Sequence, residues 1–323
     1  MGTALVLGAA GQLGRELRVA VAEGLGAKLA PNWVWADREV CDLAQPEQIR
    51  HCLQHWRPGL IINAAAYTAV DRAESEPELA HRINAEAVAE WAQGARRLGA
   101  AMVHFSTDYV FDGQLDRPYL ETDAPAPQSV YGRTKLQGEQ ALSSALERHL
   151  IIRTSWVFAR HGANFLKTML KLAQERETLR VVSDQWGAPT SARWLARQAL
   201  QACVQALGSS QPTPRWGLYH LTCRGHTNWH AYAVHVLTQA ARWGVKLRVQ
   251  ADEVEAIETA QYPTPAVRPM NSRLDCSLWQ RTWGHALPDW QSEVDQVLAD
   301  VLLDQGVLTP DMRNMITSVR SAQ

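Results

Sequence analysis

The stretch LVLGAAGQLGREL, from Leu5 to Leu17, predicts a strand, a tight turn and a helix in immediate succession. An apolar run comes first, and Gly8, Gly11 and Gly14 follow it in G-x-x-G-x-x-G spacing. Glycines in such a turn allow a sharp bend and let backbone N–H groups at the helix N-terminus approach a pyrophosphate. The stretch therefore indicates a dinucleotide-binding turn, although a plain strand-to-helix turn could carry the same glycines.

Four further apolar runs follow along the chain, WVWAD, LIINAA, AMVHFST and LIIRTSW. They are apolar at nearly every position, a pattern typical of strands buried on both faces of a parallel sheet. Amphipathic stretches separate the runs, at 12–23, 46–56, 77–98 and 129–146. This alternation predicts an α/β fold with a Rossmann-type doubly wound parallel sheet and helices on both of its faces.

The regular alternation ends after Trp156, where shorter segments and a stretch rich in Pro and Arg follow. We therefore predict a dinucleotide-binding domain over residues 1–156 with later returns at about 188–222. A smaller, discontinuous C-terminal substrate domain is expected over 157–187 and 223–304, and residues 305–323 are expected to form a C-terminal tail.

The composition limits the kinds of molecule that the protein could bind. A formal net charge of −1 over 323 residues leaves no basic field for a nucleic-acid polymer or an anionic membrane. No apolar run approaches the roughly 18 residues that span a bilayer, and the N-terminus lacks a signal-peptide pattern. The five cysteines are scattered without a C-x-x-C pair, which favours buried thiols over zinc or redox sites. We expect a cytoplasmic protein that binds a small molecule and no membrane.

The stretch SVYGRTKLQGE, Ser129 to Glu139, begins a helix after a proline-rich segment and places Tyr131 four residues before Lys135. Side chains four apart share one helical face, so the phenol and the ammonium can meet at a common point. A cation within roughly 4–6 Å of a phenol favours the phenolate by about 1–3 pKa units. We therefore expect Lys135 to make Tyr131 a better acid near neutral pH.

Polar and small residues follow three of the predicted strands, at the sheet edge where ligands of such folds bind. Asp37 ends the second strand, where a carboxylate would hold a free ribose 2′-hydroxyl and favour NADH, whereas Arg38 could receive the 2′-phosphate of NADPH. The sequence leaves that choice open. Asn63 and the small residues Ala64 to Ala66 follow the third strand and permit close approach of a cofactor, and Thr107 places a hydroxyl at the end of the fourth.

The glycine turn, the hydroxyl at a strand end and the Y-x-x-x-K helix together resemble the extended short-chain dehydrogenase/reductase superfamily. Longer motifs resemble the dTDP-4-dehydrorhamnose reductase family within it, over about residues 3 to 304. They are GQLG, NAAAYTAVDRAESEPELA, STDYVFDG, YGRTKLQGE, RTSWVF, SDQWGAPT, GLYHL and YPTPAVRPMNSRLD. The resemblance implies NAD(P)H-dependent reduction of the C4 keto group of dTDP-4-dehydro-L-rhamnose. In that reaction Tyr131 would donate the proton, Lys135 would bind the nicotinamide ribose, and Thr107 would hold the carbonyl oxygen.

The motifs and the resemblance together give two sets of binding positions. The cofactor, NADPH or NADH, would be held by Gly8, Gly11, Gln12, Leu13, Gly14, Asp37, Arg38, Asp42, Leu43, Ala64, Ala65, Ala66, Tyr131 and Lys135. The nucleotide-sugar substrate would be held by Thr68, Val70, Thr107, Asp108, Tyr131, Trp156 and Arg268. Arg268 would pair with the diphosphate of the sugar nucleotide, or would lock a loop beside Pro269. Trp156 would stack on the substrate, or would pack in the core.

Two positions depart from the family pattern. Phe105 stands where some relatives have tyrosine, which removes one hydroxyl near the cofactor. Arg193 stands where some relatives carry an acidic residue of a magnesium-linked dimer contact, and a charge of the wrong sign should weaken such a site. We therefore predict no metal among the site residues, keep Mg²⁺ as a doubtful alternative, and expect a monomer or a weak homodimer.

Two other functions remain open at the level of sequence. One is an epimerase or dehydratase of the same superfamily, which would recycle its nicotinamide. The other is a non-catalytic dinucleotide-binding subunit that resembles the regulatory subunit of methionine adenosyltransferase. The presence of Tyr131, Lys135 and Thr107 favours an enzyme.

Overall fold

The structure, a computed structural model, describes residues 2–208 and 215–318 and divides into two compact units. The first unit comprises Met1–Thr154, Arg193–Leu221 and Thr264–His285. The second comprises Ser155–Ala192, Thr222–Pro263 and Ala286–Gln323. The end of the predicted tail, residues 319–323, lies outside the described residues.

Twelve strands are formed within the described residues. They are β1 Thr3–Leu7, β2 Asn32–Ala36, β3 Leu60–Asn63, β4 Ala101–Thr107, β5 His149–Thr154, β6 Val157–Phe158, β7 Arg180–Val182, β8 Trp186–Gly187, β9 Thr190–Ser191, β10 Gly217–His220, β11 Thr227–Asn228 and β12 Glu255–Ile257. The five apolar runs of the N-terminal half become β1 to β5.

Twelve α-helices are formed within the same ranges. They are α1 Gln12–Ala22, α2 Pro46–Trp56, α3 Val70–Ala73, α4 Pro77–His81, α5 Ala87–Leu98, α6 Val130–Ala145, α7 Phe165–Glu175, α8 Ala192–Gly208, α9 Trp229–Arg242, α10 Ser277–Trp283, α11 Trp290–Asp304 and α12 Pro310–Ser318. A π-helical turn, Arg82–Glu86, joins α4 to α5.

The first unit contains a six-stranded parallel sheet in the order β10-β5-β4-β3-β1-β2. Leu5 of β1 pairs with Val34 of the edge strand β2 on one side and with Ile61 of β3 on the other. The strand order reverses between β1 and β3, and ligands of open α/β sheets bind at such a reversal, beyond the carboxyl ends of the strands. The predicted Rossmann-type α/β fold is confirmed.

Close backbone packing fixes α6, the helix that carries Tyr131 and Lys135. The Ser129 hydroxyl caps the helix by accepting a hydrogen bond from the Gly132 backbone N–H at 3.1 Å. A Cβ on Gly132 would lie 2.1 Å from the Tyr109 carbonyl oxygen, and one on Gly138 would lie 2.1 Å from the Asn84 carbonyl oxygen. Glycine at both positions therefore lets α6 lie directly on its neighbours.

The segment Thr264–His285 belongs to the first unit, whereas the sequence-based boundaries assigned it to the substrate domain. Tyr119 donates its backbone N–H to the Arg273 carbonyl at 2.8 Å and accepts from the Asp275 backbone N–H at 2.8 Å. The Asn271 amide nitrogen also donates to the Leu115 carbonyl at 2.7 Å. The predicted domain boundary rested on the order of segments along the chain. These long-range hydrogen bonds instead attach the segment to the first unit. The remaining domain boundaries stay a prediction.

The second unit is built from three short strand pairs, β6 with β9, β7 with β12 and β8 with β11, together with α7, α9, α11 and α12. Met169, Ala173 and Leu237 belong to its buried apolar core. The helix α12 lies in the predicted tail, where the Arg313 guanidinium donates to the Asp300 carboxylate at 2.8 Å. Within residues 2–208 and 215–318, no helix has both the length and the apolar character required to cross a bilayer.

Candidate active site

The glycine turn between β1 and α1 is too crowded for side chains. Gly8 has a φ of +77°, and a Cβ there would lie 2.8 Å from the Ala65 backbone nitrogen. A Cβ on Gly14 would lie 2.2 Å from the Gly8 carbonyl oxygen, and the Gly11 N–H donates to that same oxygen at 2.9 Å. The turn therefore brings the backbone of β1 against that of the residues after β3, at the reversal of strand order. A tight glycine turn that leads into a helix N-terminus is the arrangement that binds a dinucleotide pyrophosphate.

A cavity of about 330 Å³ lies beside this turn within the first unit. Its predicted lining residues are Gly8, Asp37, Arg38, Asp42, Leu43, Ala65, Ala66 and Thr68. Tyr67, Arg72 and Glu76 also line it, and the sequence analysis missed them. The Tyr67 hydroxyl donates to Glu76 at 2.5 Å, and the Arg72 guanidinium donates to the other oxygen of Glu76 at 2.6 Å. The cavity thus has a polar wall as well as the expected small residues.

Asp37 and Arg38 both lie at the mouth of this cavity, at the end of β2. One Asp37 carboxylate oxygen accepts from the backbone N–H groups of Glu39 and Val40, at 3.1 and 3.2 Å. The Arg38 side chain is 79% exposed and lies 3.4 Å from the Asp42 carboxylate. A surface ion pair of this length holds the guanidinium weakly. The carboxylate is therefore fixed by its turn, while the guanidinium can move.

Thr107 connects the side chains at the end of β4 with α6. The Thr107 hydroxyl donates to the Asp108 carboxylate at 3.0 Å, and it accepts from the Tyr109 backbone N–H at 3.2 Å. Thr107 also lowers the pKa of the Tyr131 phenol. Ser272, which the sequence analysis missed, lowers the pKa of the Asp108 carboxyl. Three of the predicted site residues, Thr107, Asp108 and Tyr131, thus influence one another in one network.

Burial raises the pKa values of two side chains in this network and so favours their protonated forms. It raises the pKa of Asp108 to about 6, although the hydroxyls of Ser272 and Thr107 oppose the rise. It also raises the pKa of Tyr131 to about 12, with Thr107 lowering that value and the Asp108 charge adding to it. We expected the opposite direction for Tyr131, because Lys135 was to act on it as a nearby cation. In the cofactor-free protein, loss of hydration outweighs any such effect.

Lys135 is buried at the base of the site. Its Nζ donates to the Phe105 carbonyl at 2.6 Å and lies 3.2 Å from Nε2 of His104. Burial lowers the pKa of Lys135 to about 8, and the charge of Glu139 raises it only in part. His104 in turn contacts Asn63. The sequence analysis did not identify His104, because a histidine inside an apolar strand gives no signal that separates it from the core.

Two other residues predicted to bind substrate, Arg268 and Trp156, each contact a neighbouring side chain. The Arg268 guanidinium donates to Asp71 at 2.8 Å, next to Val70 at the start of α3. Trp156 lies in the second unit with a φ of +47°, and its ring stacks on Trp229 with centroids 3.5 Å apart. One face of the indole is therefore covered by a neighbour, and its contact with substrate stays a prediction. Over the described residues, no group of three or more His, Cys, Asp or Glu side chains could hold a metal ion.

Comparison with known proteins identifies the family that carries these features. The family model described as the RmlD substrate binding domain matches residues 2–303. The dTDP-4-dehydrorhamnose reductase of Escherichia coli strain K12 is 47% identical over 297 residues, which cover 92% of this chain and 97% of that protein. The chain belongs to the dTDP-4-dehydrorhamnose reductase family. The family resemblance inferred from the motifs is thus confirmed.

Other members of the dTDP-4-dehydrorhamnose reductase family match over similar lengths. The Burkholderia thailandensis reductase is 40% identical over 300 residues, which cover 92% of this chain and 98% of that protein. The solved structure of the Clostridium acetobutylicum reductase superposes with a TM-score of 0.83 at 34% identity, covering 93% of this chain and 99% of the other. The Bacillus anthracis reductase in complex with NADP has a TM-score of 0.82 at 31% identity, covering 93% and 100%.

Proposed function

We propose that the protein is an NAD(P)H-dependent oxidoreductase that reduces the C4 keto group of dTDP-4-dehydro-L-rhamnose and yields dTDP-L-rhamnose. This is the last step of dTDP-L-rhamnose biosynthesis. The family membership supports the substrate, since relatives at 40–47% identity carry the name of this reductase. The observation that carries the chemistry is the position of Tyr131 on α6, one helical turn before the buried Lys135 and close enough to Thr107 for that residue to lower the pKa of the phenol.

Each side chain of the network has one role in this proposal. When bound, the reduced nicotinamide supplies a hydride to the carbonyl carbon. Tyr131 donates its phenolic proton to the C4 oxygen as negative charge develops there. Asp108 lies on the substrate side and accepts the single hydrogen of the Thr107 hydroxyl at 3.0 Å in this structure. Thr107 would hold the C4 oxygen by turning that hydrogen from Asp108 to the substrate. Because the pKa of Tyr131 is raised to about 12, the phenol is fully protonated and ready to donate at neutral pH.

The cofactor would lie along the glycine turn and the cavity beside it. The tight turn of Gly8, Gly11 and Gly14 leads into the N-terminus of α1, where the pyrophosphate would bind, and Lys135 would bind the nicotinamide ribose. Asp37 suits the free ribose of NADH, while the weakly held Arg38 suits the 2′-phosphate of NADPH. We therefore propose that both cofactors are used, in line with the NADP that the Bacillus anthracis relative binds.

Substitution of Asp37 tests the placement of the ribose. Asp37→Ala should weaken NADH binding more than NADPH binding, because only the unphosphorylated ribose donates to that carboxylate. Dissociation constants for the two cofactors, measured by fluorescence titration, check this expectation. The matched variant Asp116→Ala, on the exposed loop before α6, should change neither. Equal losses for both cofactors would place Asp37 away from the ribose.

We also propose a localisation and an oligomeric state for the reductase. We infer a cytoplasmic protein that is a monomer or a weak homodimer, since the positive charge of Arg193 disfavours a magnesium-linked dimer contact. Sedimentation with and without Mg²⁺ checks the oligomeric state. A tight dimer that forms only with the metal would contradict this inference.

One assay separates the reductase from the alternatives. The protein is supplied with dTDP-4-dehydro-L-rhamnose, made enzymatically from its precursor, and the loss of reduced-cofactor absorbance is followed separately for NADH and NADPH. Stoichiometric oxidation with formation of dTDP-L-rhamnose is expected. Turnover without net oxidation would indicate an epimerase or dehydratase. Cofactor binding without turnover, together with copurification of an adenosyltransferase, would indicate a regulatory subunit.

A further inference from the structure

A line of hydrogen bonds runs from the loop after β3 to Lys135 and fixes the orientation of each group in it. The Ala65 backbone N–H lies 3.1 Å from the Asn63 Oδ1 atom. A backbone N–H can only donate, so the oxygen of the Asn63 amide must face Ala65. The amide nitrogen of Asn63 must therefore face the other way, where Nδ1 of His104 lies 3.1 Å from it.

This contact assigns the proton of His104. An amide nitrogen can only donate, so Nδ1 of His104 must accept and carries no hydrogen. In a charged imidazolium, Nδ1 would also carry a hydrogen, and that N–H group would face the N–H of the Asn63 amide. Burial, the largest cause, holds the pKa of His104 well below its ordinary value, which agrees with a neutral ring. The single ring hydrogen of His104 is thus on Nε2.

The Nε2–H of His104 faces the Nζ atom of Lys135 at 3.2 Å. An ammonium group has three hydrogens and no lone pair, so it cannot accept this hydrogen, whereas a neutral amine can. The amine can still donate to the Phe105 carbonyl at 2.6 Å. Only the neutral form of Lys135 satisfies both contacts.

The other charged groups around Lys135 do not reverse this preference. Glu139, one turn further along α6, is the carboxylate that favours the ammonium form. Its oxygens are held by the Arg153 guanidinium of β5, in a buried pair with contacts of 2.6 and 2.9 Å. Tyr131 on the same helix face is a neutral phenol. Burial of Lys135 is therefore the largest influence, and it lowers the pKa to about 8.

We propose that Asn63 and His104 are positioning residues that favour the neutral amine form of Lys135 in the cofactor-free protein, so that at alkaline pH Lys135 takes up a proton when the cofactor binds. The ribose hydroxyls offer lone pairs to which an ammonium can donate, and the proton comes from solvent. The first half of this proposal concerns the free protein alone. The second half rests on the proposed function, because it needs the ribose beside Lys135.

Carbon-13 NMR of protein labelled at lysine Cε tests the first half. The chain has five lysines, and the Lys135 signal is the one lost in Lys135→Met. We expect the Lys135 signal to titrate near pH 8, below the ordinary lysine value of about 10.4. A Lys135 midpoint at or above about pH 10.4 would overturn the proposal.

Asn63→Asp tests the role of the ring. One carboxylate oxygen can still accept from Ala65 while the other accepts from Nδ1–H of His104, which moves the ring proton and turns the lone pair of Nε2 toward Lys135. The Lys135 midpoint should then rise above about pH 9. The same substitution in a His104→Leu background separates this effect from the added charge. An equal rise with and without the ring would show that charge alone acts, and would overturn the role of His104.

Calorimetry on the wild-type protein tests the second half without any substitution. Binding of NADPH at alkaline pH, measured in buffers of different ionisation enthalpy, should take up most of one proton, and binding near pH 6 should take up almost none. Cofactor binding without proton uptake at alkaline pH would overturn the linkage. If neither NADPH nor NADH binds, the proposed function fails, and the NMR midpoints still decide the state of Lys135.

Discussion

Tyr131 and Lys135 lie one turn apart on α6, and burial favours the neutral form of both. The pKa of Tyr131 rises to about 12, whereas that of Lys135 falls to about 8. The phenol therefore keeps its proton over the whole neutral range, which is the state that a proton donor needs. The lysine is the residue of the pair whose charge can change near physiological pH.

The proton-donor role of Tyr131 can be measured directly. Tyr131→Phe keeps the ring but removes the phenolic proton, so kcat should fall by roughly 10²–10⁴-fold, the usual scale of lost general acid catalysis. Cofactor affinity should change little. Tyr219→Phe is the matched control. Tyr219 lies in β10, an edge strand of the sheet, and its hydroxyl donates to the Arg215 carbonyl. Wild-type turnover in Tyr131→Phe would assign the proton transfer to another group.

The buried lysine also has a measurable effect on stability. Its folded pKa of about 8 lies below its ordinary value, so its contribution is fully present above the ordinary pKa and is lost as pH falls through about 8. The free energy of unfolding of the wild type, relative to that of Lys135→Met, should therefore rise by about 2 kcal/mol between about pH 7 and about pH 9.5.

Urea unfolding of both proteins at several pH values provides this comparison. Other ionisable groups are common to the two proteins and cancel in the difference. A difference that stays constant with pH would mean that the Lys135 pKa is not lowered by folding.

At the scale of elements, local signals predicted the helices and strands of the first unit well. Proline at the start of α2 and the Ser129 cap of α6 mark helix ends within a few residues. Long-range pairing could not be predicted, because the bridge between Tyr119 and Leu274 joins residues far apart in the chain. His104 was missed for a related reason, since its role depends on side chains from β3 and α6.

The π-helical turn Arg82–Glu86 explains how α6 is placed. The Asn84 side chain accepts from the Tyr67 backbone N–H at 2.8 Å and donates to the Thr134 hydroxyl at 3.1 Å. The carbonyl oxygen of Asn84 meanwhile faces Gly138. Such single-turn widenings of a helix are frequent at functional sites. Here the turn links the loop that lines the cavity to the helix that carries Tyr131.

Gly138→Ala should disturb this packing. The new Cβ would meet a backbone oxygen at 2.1 Å, and neither helix can yield as a flexible side chain would, so we expect a loss of about 1–3 kcal/mol in the free energy of unfolding. Turnover should fall as well, because α6 carries the proton donor. Thermal and urea unfolding together with the reductase assay measure both effects.

Gly208→Ala is the matched control for Gly138→Ala. Gly208 is also helical, and a Cβ there would have no neighbour within 4 Å among residues 2–208 and 215–318. Its stability should stay equal or rise by up to about 1 kcal/mol, the ordinary helix preference of alanine over glycine. Equal behaviour of the two variants would mean that the contact with Asn84 does not restrain α6.

At the scale of the whole molecule, the chain combines a sheet-based first unit with a second unit that has its own apolar core. The residues proposed to bind the cofactor all belong to the first unit. A ligand stabilises the part of a protein that must stay folded to bind it. Cofactor binding should therefore suppress unfolding of the first unit and leave unfolding of the second unit unaffected.

The buried cysteines report on this unfolding. Cys41, Cys52, Cys203 and Cys276 lie in the first unit, and Cys223 lies in the second. A thiol reagent can reach Cys52, Cys203, Cys223 and Cys276 only when the surrounding structure opens, whereas Cys41 also lines the cavity proposed for the cofactor. NADPH at about 100 times its dissociation constant should slow labelling of Cys52, Cys203 and Cys276 by up to about 100-fold, and should leave the rate at Cys223 nearly unchanged. Mass spectrometry of peptides after timed labelling gives each rate separately. Equal slowing at these four thiols would mean that the two units open together, as one cooperative structure.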